Sequence, residues 1–206
     1  LPNKPNQKWS WSQAQEIVLT SFNELSPEIA KIASKFFENN WIDAEIRNGK
    51  DSGAYSHPCV PDVHPYILMN YNGKSRDVMT LAHELGHGVH QVLASKNGYL
   101  LADTPLTLAE TASVFGEMLV FQKLLSKADS KQEKNSMIAE KVEDMLNTVV
   151  RQIAFHNFET SFHNKRKLNE LTPDEISEIW METQSQALGD AINLDDSYKP
   201  LWSYIP

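Results

Sequence analysis

Apolar residues recur at helical spacing along most of this chain and alternate only briefly, which predicts a mainly α fold with a small β-sheet. From Ser12 to Glu24, Ile17, Val18, Leu19 and Phe22 follow a helical pattern. Ser26-Pro27-Glu28 opens a second helix with proline at its first position, carrying Ile29, Ile32, Ala33, Phe36 and Phe37 on one face until Asn39-Asn40. Both helices read as scaffold, and residues 1–9 before them read as irregular. Trp41 to Arg47 alternates and predicts a short strand. Residues 48–64 read as a long loop, of a length that is more often functional than idle. Pro65 to Tyr71 is rich in β-branched and aromatic residues and ends at Asn72-Gly73, so it predicts a strand. It reads either as an edge that pairs with an extended peptide, with Tyr66 and Asn70 as candidate contacts, or as a strand buried in its own sheet.

Ser75 and Asp77 start the next helix, whose apolar face is Val78, Leu81, Leu85, Val89, Val92 and Leu93, and Asn97-Gly98 supplies a left-handed stop. Residues 98–104 make a return. Thr104-Pro105 opens a helix to about Lys127, with Thr104 as the cap. Lys131 to Lys167 reads as one long helix or two, with Met137, Ile138, Val142, Met145, Leu146, Val149, Ile153, Phe158 and Phe162 inward. Thr172-Pro173-Asp174-Glu175 is a capping box that starts a helix ending before Gly189. Repeats and linkers rich in Gly, Pro or Ser are absent, so residues 1–206 are expected to form a single segment.

The helix after Ser75 carries His83-Glu84-Leu85-Gly86-His87, the pattern H-E-x-x-H. Residues four apart on an α-helix lie about 40° apart around the axis and roughly 6 Å along it, so His83 and His87 share a face and can grip one metal ion. Glu84 sits beside that face, where it can reach a metal-bound water without being a ligand. Imidazole and carboxylate ligands suit zinc, one ion per chain, although Mn²⁺ and Co²⁺ use the same donors. The alternative is a pair of structural histidines. Glu110 follows His87 by 23 positions, and a helix, a reversal and a second helix can return it as a third ligand, with Asp103 as the substitute. The rival is a capping box from Thr107 to Glu110, which Pro105 disfavours. Ser113 and Glu117 follow on the Glu110 face and could hold an imidazole's tautomer. His90, a turn beyond His87, could contact substrate or simply pack. His57, His64, His156 and His163 lack carboxylates at ligand spacing and read as structural.

A net charge of -8 disfavours nucleic acid as a partner, whereas peptides remain compatible. The one cysteine, Cys59, forms no internal disulfide and suits a reducing compartment. No apolar run reaches the ~20 residues of a membrane span, so no membrane partner is expected and the expected location is cytoplasmic. The chain starts without methionine and stops at Leu201-Trp202-Ser203-Tyr204-Ile205-Pro206, ends that suggest a piece truncated on both sides of a longer polypeptide.

Gly53 to Ser56 (GAYS), His64 to Tyr71 (HPYILMNY), Thr80 to His90 (TLAHELGHGVH) and Leu108 to Glu117 (LAETASVFGE) together resemble the oligoendopeptidase F branch of the M3 zinc peptidases. The resemblance implies that His83, His87 and Glu110 bind zinc and that Glu84 is the general base. It also implies a zincin-like helical catalytic domain with a small sheet beside the metal helix, in an enzyme that cleaves short oligopeptides and excludes folded proteins. Family members are much longer, with a large helical region before this segment. They carry a tyrosine- and histidine-containing motif beyond the position of Pro206 that is thought to stabilise the oxyanion. Losing such a donor typically costs ~10² to 10³ in rate.

The reaction this implies is metal-assisted peptide hydrolysis, with Glu84 taking the water's proton and passing it to the leaving amine. A zinc carboxypeptidase of related helical build is the alternative enzyme; it would need a basic residue for the substrate's terminal carboxylate. A catalytically incomplete metal-binding segment is the alternative without activity. The remainder of the parent polypeptide is then an expected partner.

Overall fold

The computed structural model describes residues 8–205. The irregular stretch expected at residues 1–9 therefore lies, for residues 1–7, outside the described residues. The chain divides into two compact units, Leu1–Lys134 and Asn135–Pro206, and the division falls inside a helix rather than at a linker.

In the first unit, α1 (Trp11–Leu25) starts at a reciprocal cap: Ser10 Oγ accepts from Gln13 N at 3.2 Å, and Ser10 N donates to the Gln13 side chain at 2.9 Å. After α1, α2 (Pro27–Glu38) begins on its proline as expected. Ile17, Val18, Phe22, Ile32, Ala33 and Phe36 are buried, so the helical faces read from the pattern are the ones that pack.

Between α2 and the next helix lie three short strands, β1 (Ile42–Asp43), β2 (Tyr55–His57) and β3 (Tyr66–Leu68), in the order β1-β3-β2. Parallel pairing sets Ile42 opposite Ile67, and antiparallel pairing sets Ser56 opposite Ile67. Here β3 is central, which corrects the edge reading of Pro65 to Tyr71: both sides of Tyr66–Leu68 are paired. The unpaired sides belong instead to β1 and to β2, the latter a three-residue strand inside the expected loop of 48–64. Its sequence, Tyr-Ser-His, carries no apolar alternation that would reveal it.

The expected strand over Trp41 to Arg47 shrinks to two residues, although Trp41, Asp43 and Ala44 carbonyls all accept from β3 or its extension, at 2.9–3.0 Å. Beyond Ala44 the backbone is folded around Lys50, whose side chain is 2% exposed. Its ammonium donates to the carbonyls of Asp43, Glu45 and Met69 at 2.7–2.9 Å and to Asp43 Oδ1 at 3.0 Å. Three carbonyls and a carboxylate satisfy a buried cation that would otherwise be costly.

The third helix, α3 (Ser75–Ala94), starts where Asp77 Oδ2 accepts from the backbone N–H groups of Asn72 and Lys74, at 2.8 and 3.0 Å. Ser95–Asn97 tightens to a 3₁₀ turn, and Gly98 takes φ +77, the left-handed stop expected there. Helix α4 (Leu106–Lys127) begins one residue later than expected. Pro105, extended at ψ 138, is itself the N-cap, so Thr104 does not cap the helix.

These two helices touch through their backbones. A Cβ placed on Gly86 would lie 2.6 Å from Ala112 O and 2.7 Å from Ser113 Cα, and one on Gly116 would lie 3.0 Å from Ala82 O. Only residues without side chains permit that approach. On another side of α3, Gly88 makes room for the ring of Phe36.

In the second unit, α5 (Lys131–Arg166) is one continuous helix, followed by α6 (Pro173–Leu188) and a 3₁₀ segment, Asp196–Tyr204. Thr172 and Glu175 form the expected capping box, and Gly189 ends α6 at φ +64. Phe158, Ile179 and Trp180 form the core, with Phe155, Tyr198 and Trp202 against it. Trp180 Nε1 donates to Tyr198 O, and Trp202 Nε1 to Ser177 Oγ, each at 3.1 Å. The inward face assigned to α5 is only partly buried. Phe158 is buried, but Ile138, Val142, Met145, Leu146, Val149 and Ile153 are exposed. Periodicity tells which residues share a face, not whether anything covers that face. Among the described residues, no helix is long and apolar enough to cross a membrane.

Two outcomes follow. Gly86→Ala forces α3 and α4 apart and is expected to destabilise the chain by about 1–3 kcal/mol, read as a lower midpoint in urea unfolding with unchanged slope. Asp43, held well below the usual carboxylate range by its Arg47 hydrogen bonds and by Lys50, contributes stability above about pH 4 that is lost as pH falls further. Asp43→Asn is therefore expected to flatten the acid limb of stability measured between pH 6 and 3; an unchanged limb would contradict the assignment.

Candidate metal centre

Because α3 and α4 lie backbone to backbone, residues on their facing turns meet. Glu110, in the second turn of α4, places Oε2 3.1 Å from His83 Nε2 and 3.4 Å from His87 Nε2. The three ligand atoms all lie within 4.8 Å of one another. Two ligands at 2.0–2.1 Å on a tetrahedral ion are about 3.4 Å apart, so the spacing and the donor set both fit one zinc ion.

The surroundings hold these groups. Glu117 Oε2 lies 3.2 Å from His83 Nδ1, which leaves Nε2 facing Glu110. Ser113, fully buried, donates its hydroxyl to Glu110 Oε2 at 2.7 Å. His87 hydrogen-bonds the backbone of Ala109. Each of the three groups thus has a second partner that orients it.

Glu84 is 5% exposed, and its Oε2 has no hydrogen-bond partner. Burial, with help from the Glu110 charge and against the attraction of His83, pushes its carboxyl up to about 7. A buried oxygen without a partner beside three convergent ligand atoms fits a position for a water held by a cation. Burial pulls the His83 imidazole down, but the Glu117 hydrogen bond and the charges of Glu84, Glu110 and Glu117 outweigh it and raise the pKa. At His87 burial prevails with help from the His83 and His90 charges, and the pKa falls despite Glu110 and the Ala109 hydrogen bond. The difference between the two imidazoles comes from Glu117, which bonds His83, and from burial at His87, since the Glu110 charge raises both.

The remaining candidates fall elsewhere. His90 is half-buried and is not among the three convergent ligands, and Asp103 is exposed and likewise outside them. Tyr66 is exposed, and its ring lies against His64, 4.4 Å between centroids. The Asn70 amide donates to Asp51 O and Gly53 O at 2.9 and 3.2 Å, which ties down the approach to β2. His57 accepts from Cys59 N at 3.0 Å, and His64 stacks on Trp41 at 3.9 Å, so both are structural. Residue spacing did not expose Gln91, whose side chain accepts from Ser56 Oγ at 2.8 Å and donates to Ser56 O at 3.1 Å. It fastens β2 over the α3 face that carries His83 and His87, and its place four residues after His87 is the available signal.

Residues 19–205 match the model of Peptidase family M3. The chain is 31% identical over its whole length to oligopeptidase PepF of Bacillus subtilis (strain 168) and 32% identical to the chromosomal oligoendopeptidase F of Lactococcus lactis subsp. cremoris. It spans 31% and 34% of those two proteins, about a third of their length. A crystal structure of a candidate peptidase from Chlamydophila abortus covers 98% of the chain with a TM-score of 0.71 and 31% identity, over 34% of its own length.

If Glu117 fixes the His83 tautomer, Glu117→Ala should weaken zinc affinity about 10- to 100-fold in competition with a chromophoric chelator, while unfolding shifts little. Unchanged affinity would reduce Glu117 to a neighbour.

Proposed function

This chain belongs to Peptidase family M3, and we propose that it carries the metal centre and general base of a zinc metalloendopeptidase that hydrolyses peptide bonds in short oligopeptides. The observation that supports this most is the convergence of His83, His87 and Glu110 with the buried Glu84, one of whose oxygens lacks a partner, at their side. Residues 1–206 are read as one segment of the catalytic domain, and activity and substrates refer to the longer polypeptide.

A bound zinc ion would be held by His83 Nε2, His87 Nε2 and Glu110 and would supply Lewis acidity together with a water of lowered pKa. Glu117 and Ser113 orient two of these ligands. Glu84 takes the proton of the attacking water, keeps it in its buried carboxyl, and delivers it to the nitrogen of the leaving amine. A carboxylate confined by burial is suited to both roles, because its neutral form is not strongly disfavoured there. Of the two edges of the sheet, β2 is the one that Gln91 ties to α3, one turn past His87, so an extended peptide pairing along β2 would run past the site. Donors for the oxyanion are assigned to the polypeptide beyond Pro206. The lone cysteine suits a reducing, cytoplasmic setting.

Metal analysis combined with hydrolysis of an internally quenched, end-blocked peptide tests this reading. About one zinc per chain is expected, with His87→Ala losing the metal and Glu84→Gln keeping it while turnover falls at least 10²-fold. Glu84→Gln with undiminished turnover would remove the general-base role, and a chain without zinc would sink the proposal.

A further inference from the structure

The α3 face that carries the candidate ligands continues past them. His83, His87, Gln91 and Ser95 are spaced by four, so they form one row along the helix. Gln91 and Ser95, with Val92, line a cavity of about 330 Å³ whose other walls are Trp41 and the loop through Val60 and Val63. At 1.5 Å per residue the cavity begins about 6 Å beyond His87 and extends to about 12 Å. An extended peptide advances about 3.3 Å per residue, so the cavity lies about two to four residues from a bond held at the metal centre.

Its polar groups are occupied by one another. Gln91 is bound to Ser56, Ser95 Oγ donates to Val92 O at 2.8 Å, Tyr99 donates to Asp62, and His64 is stacked on Trp41. Lys35, Cys59 and Asp103 stand exposed among the lining residues. Apart from those three, the side chains that face the space are apolar: Val60 and Val63 are 45% and 46% exposed, and Pro61, Pro65 and Val92 wall it further. A volume at the lower end of ligand sites, about 300–1,000 Å³, suits one side chain rather than a whole peptide.

We propose that this cavity is a specificity pocket that receives one bulky apolar side chain, aromatic or branched aliphatic, of a peptide bound across α3. The inference rests on the peptidase reading and adds a preference to it. Burying such a side chain against Trp41, Val60, Val63 and Val92 favours it over alanine at one position near the scissile bond, and the tie between Tyr99 and Asp62 joins the two segments that flank the opening.

The test uses end-blocked alanine peptides in which a single phenylalanine is walked along the sequence, binding to the full chain as Glu84→Gln with zinc bound. One position is expected at which phenylalanine tightens binding about tenfold or more. In combination with Val92→Trp, which fills the cavity, or Val60→Asp, which charges its wall, the ratio should fall to about one. Val60→Asp lies on a surface loop and carries the test if Val92→Trp does not fold, as judged by zinc content. Absence of any preferred position, or a preference that survives in the folded variants, overturns the pocket. Cleavage of the same peptides by the unmutated chain is scored separately. Cleavage without preference removes the pocket and leaves the peptidase; a preferred position without cleavage keeps the pocket and leaves turnover to the longer polypeptide, whereas a chain that takes up no zinc removes the peptidase.

Discussion

The backbone contact between α3 and α4 is the constraint on which the site depends. Gly86 against Ala112 and Ser113, and Gly116 against Ala82, mark how close the two helices lie: a side chain at Gly86 would separate them, and one at Gly116 would press on Ala82 O at 3.0 Å. Glu110 reaches both imidazoles only because of that closeness. The glycines in the H-E-x-x-H stretch therefore serve the site without touching it. Gly86 admits α4, and Gly88 admits the Phe36 ring that anchors α2 to the other side of the helix.

Around this contact the electrostatics are divided by depth. Glu110 is 60% exposed at the side chain, whereas Glu84 is buried and lacks a partner at one oxygen. Burial and the neighbouring Glu110 charge raise the Glu84 carboxyl, and a cation among the three ligands would act in the opposite direction. A positive charge among the three ligands would offset both effects, which is a physical reason for the proposed metal and proton-transfer roles to share one cluster.

Much of this was legible in the residues, and the illegible part has specific causes. The face shared by His83 and His87 follows from helical spacing alone, and the pattern from Ser12 with the caps at Ser26-Pro27 and Thr172 gave helix starts to within a residue or two. Glu110 could be nominated but not placed, because its position depends on how closely two helices approach. Glu117 lies against the His83 imidazole, whereas Ser113, also expected at an imidazole, donates to Glu110 instead, since a side chain as short as serine reaches its own helix first. The edge and buried readings of Pro65 to Tyr71 stayed open, and β2 was read as loop, because β2 is a three-residue strand held by Gln91 and by β3, interactions that are remote in sequence. The apolar stripe of α5 was read as buried, yet its residues from Ile138 to Ile153 stand exposed, since a stripe identifies a face and not its partner.

X-ray absorption at the zinc edge of the purified chain tests the central claim most directly, because it reports ligands without reference to turnover. Two histidines and a carboxylate predict a first shell of nitrogen and oxygen at about 2.0–2.1 Å, with outer-shell scattering from two imidazoles that drops to one in His83→Ala. Scattering from sulfur, or an imidazole signal indifferent to that substitution, would contradict a metal centre built from α3 and α4.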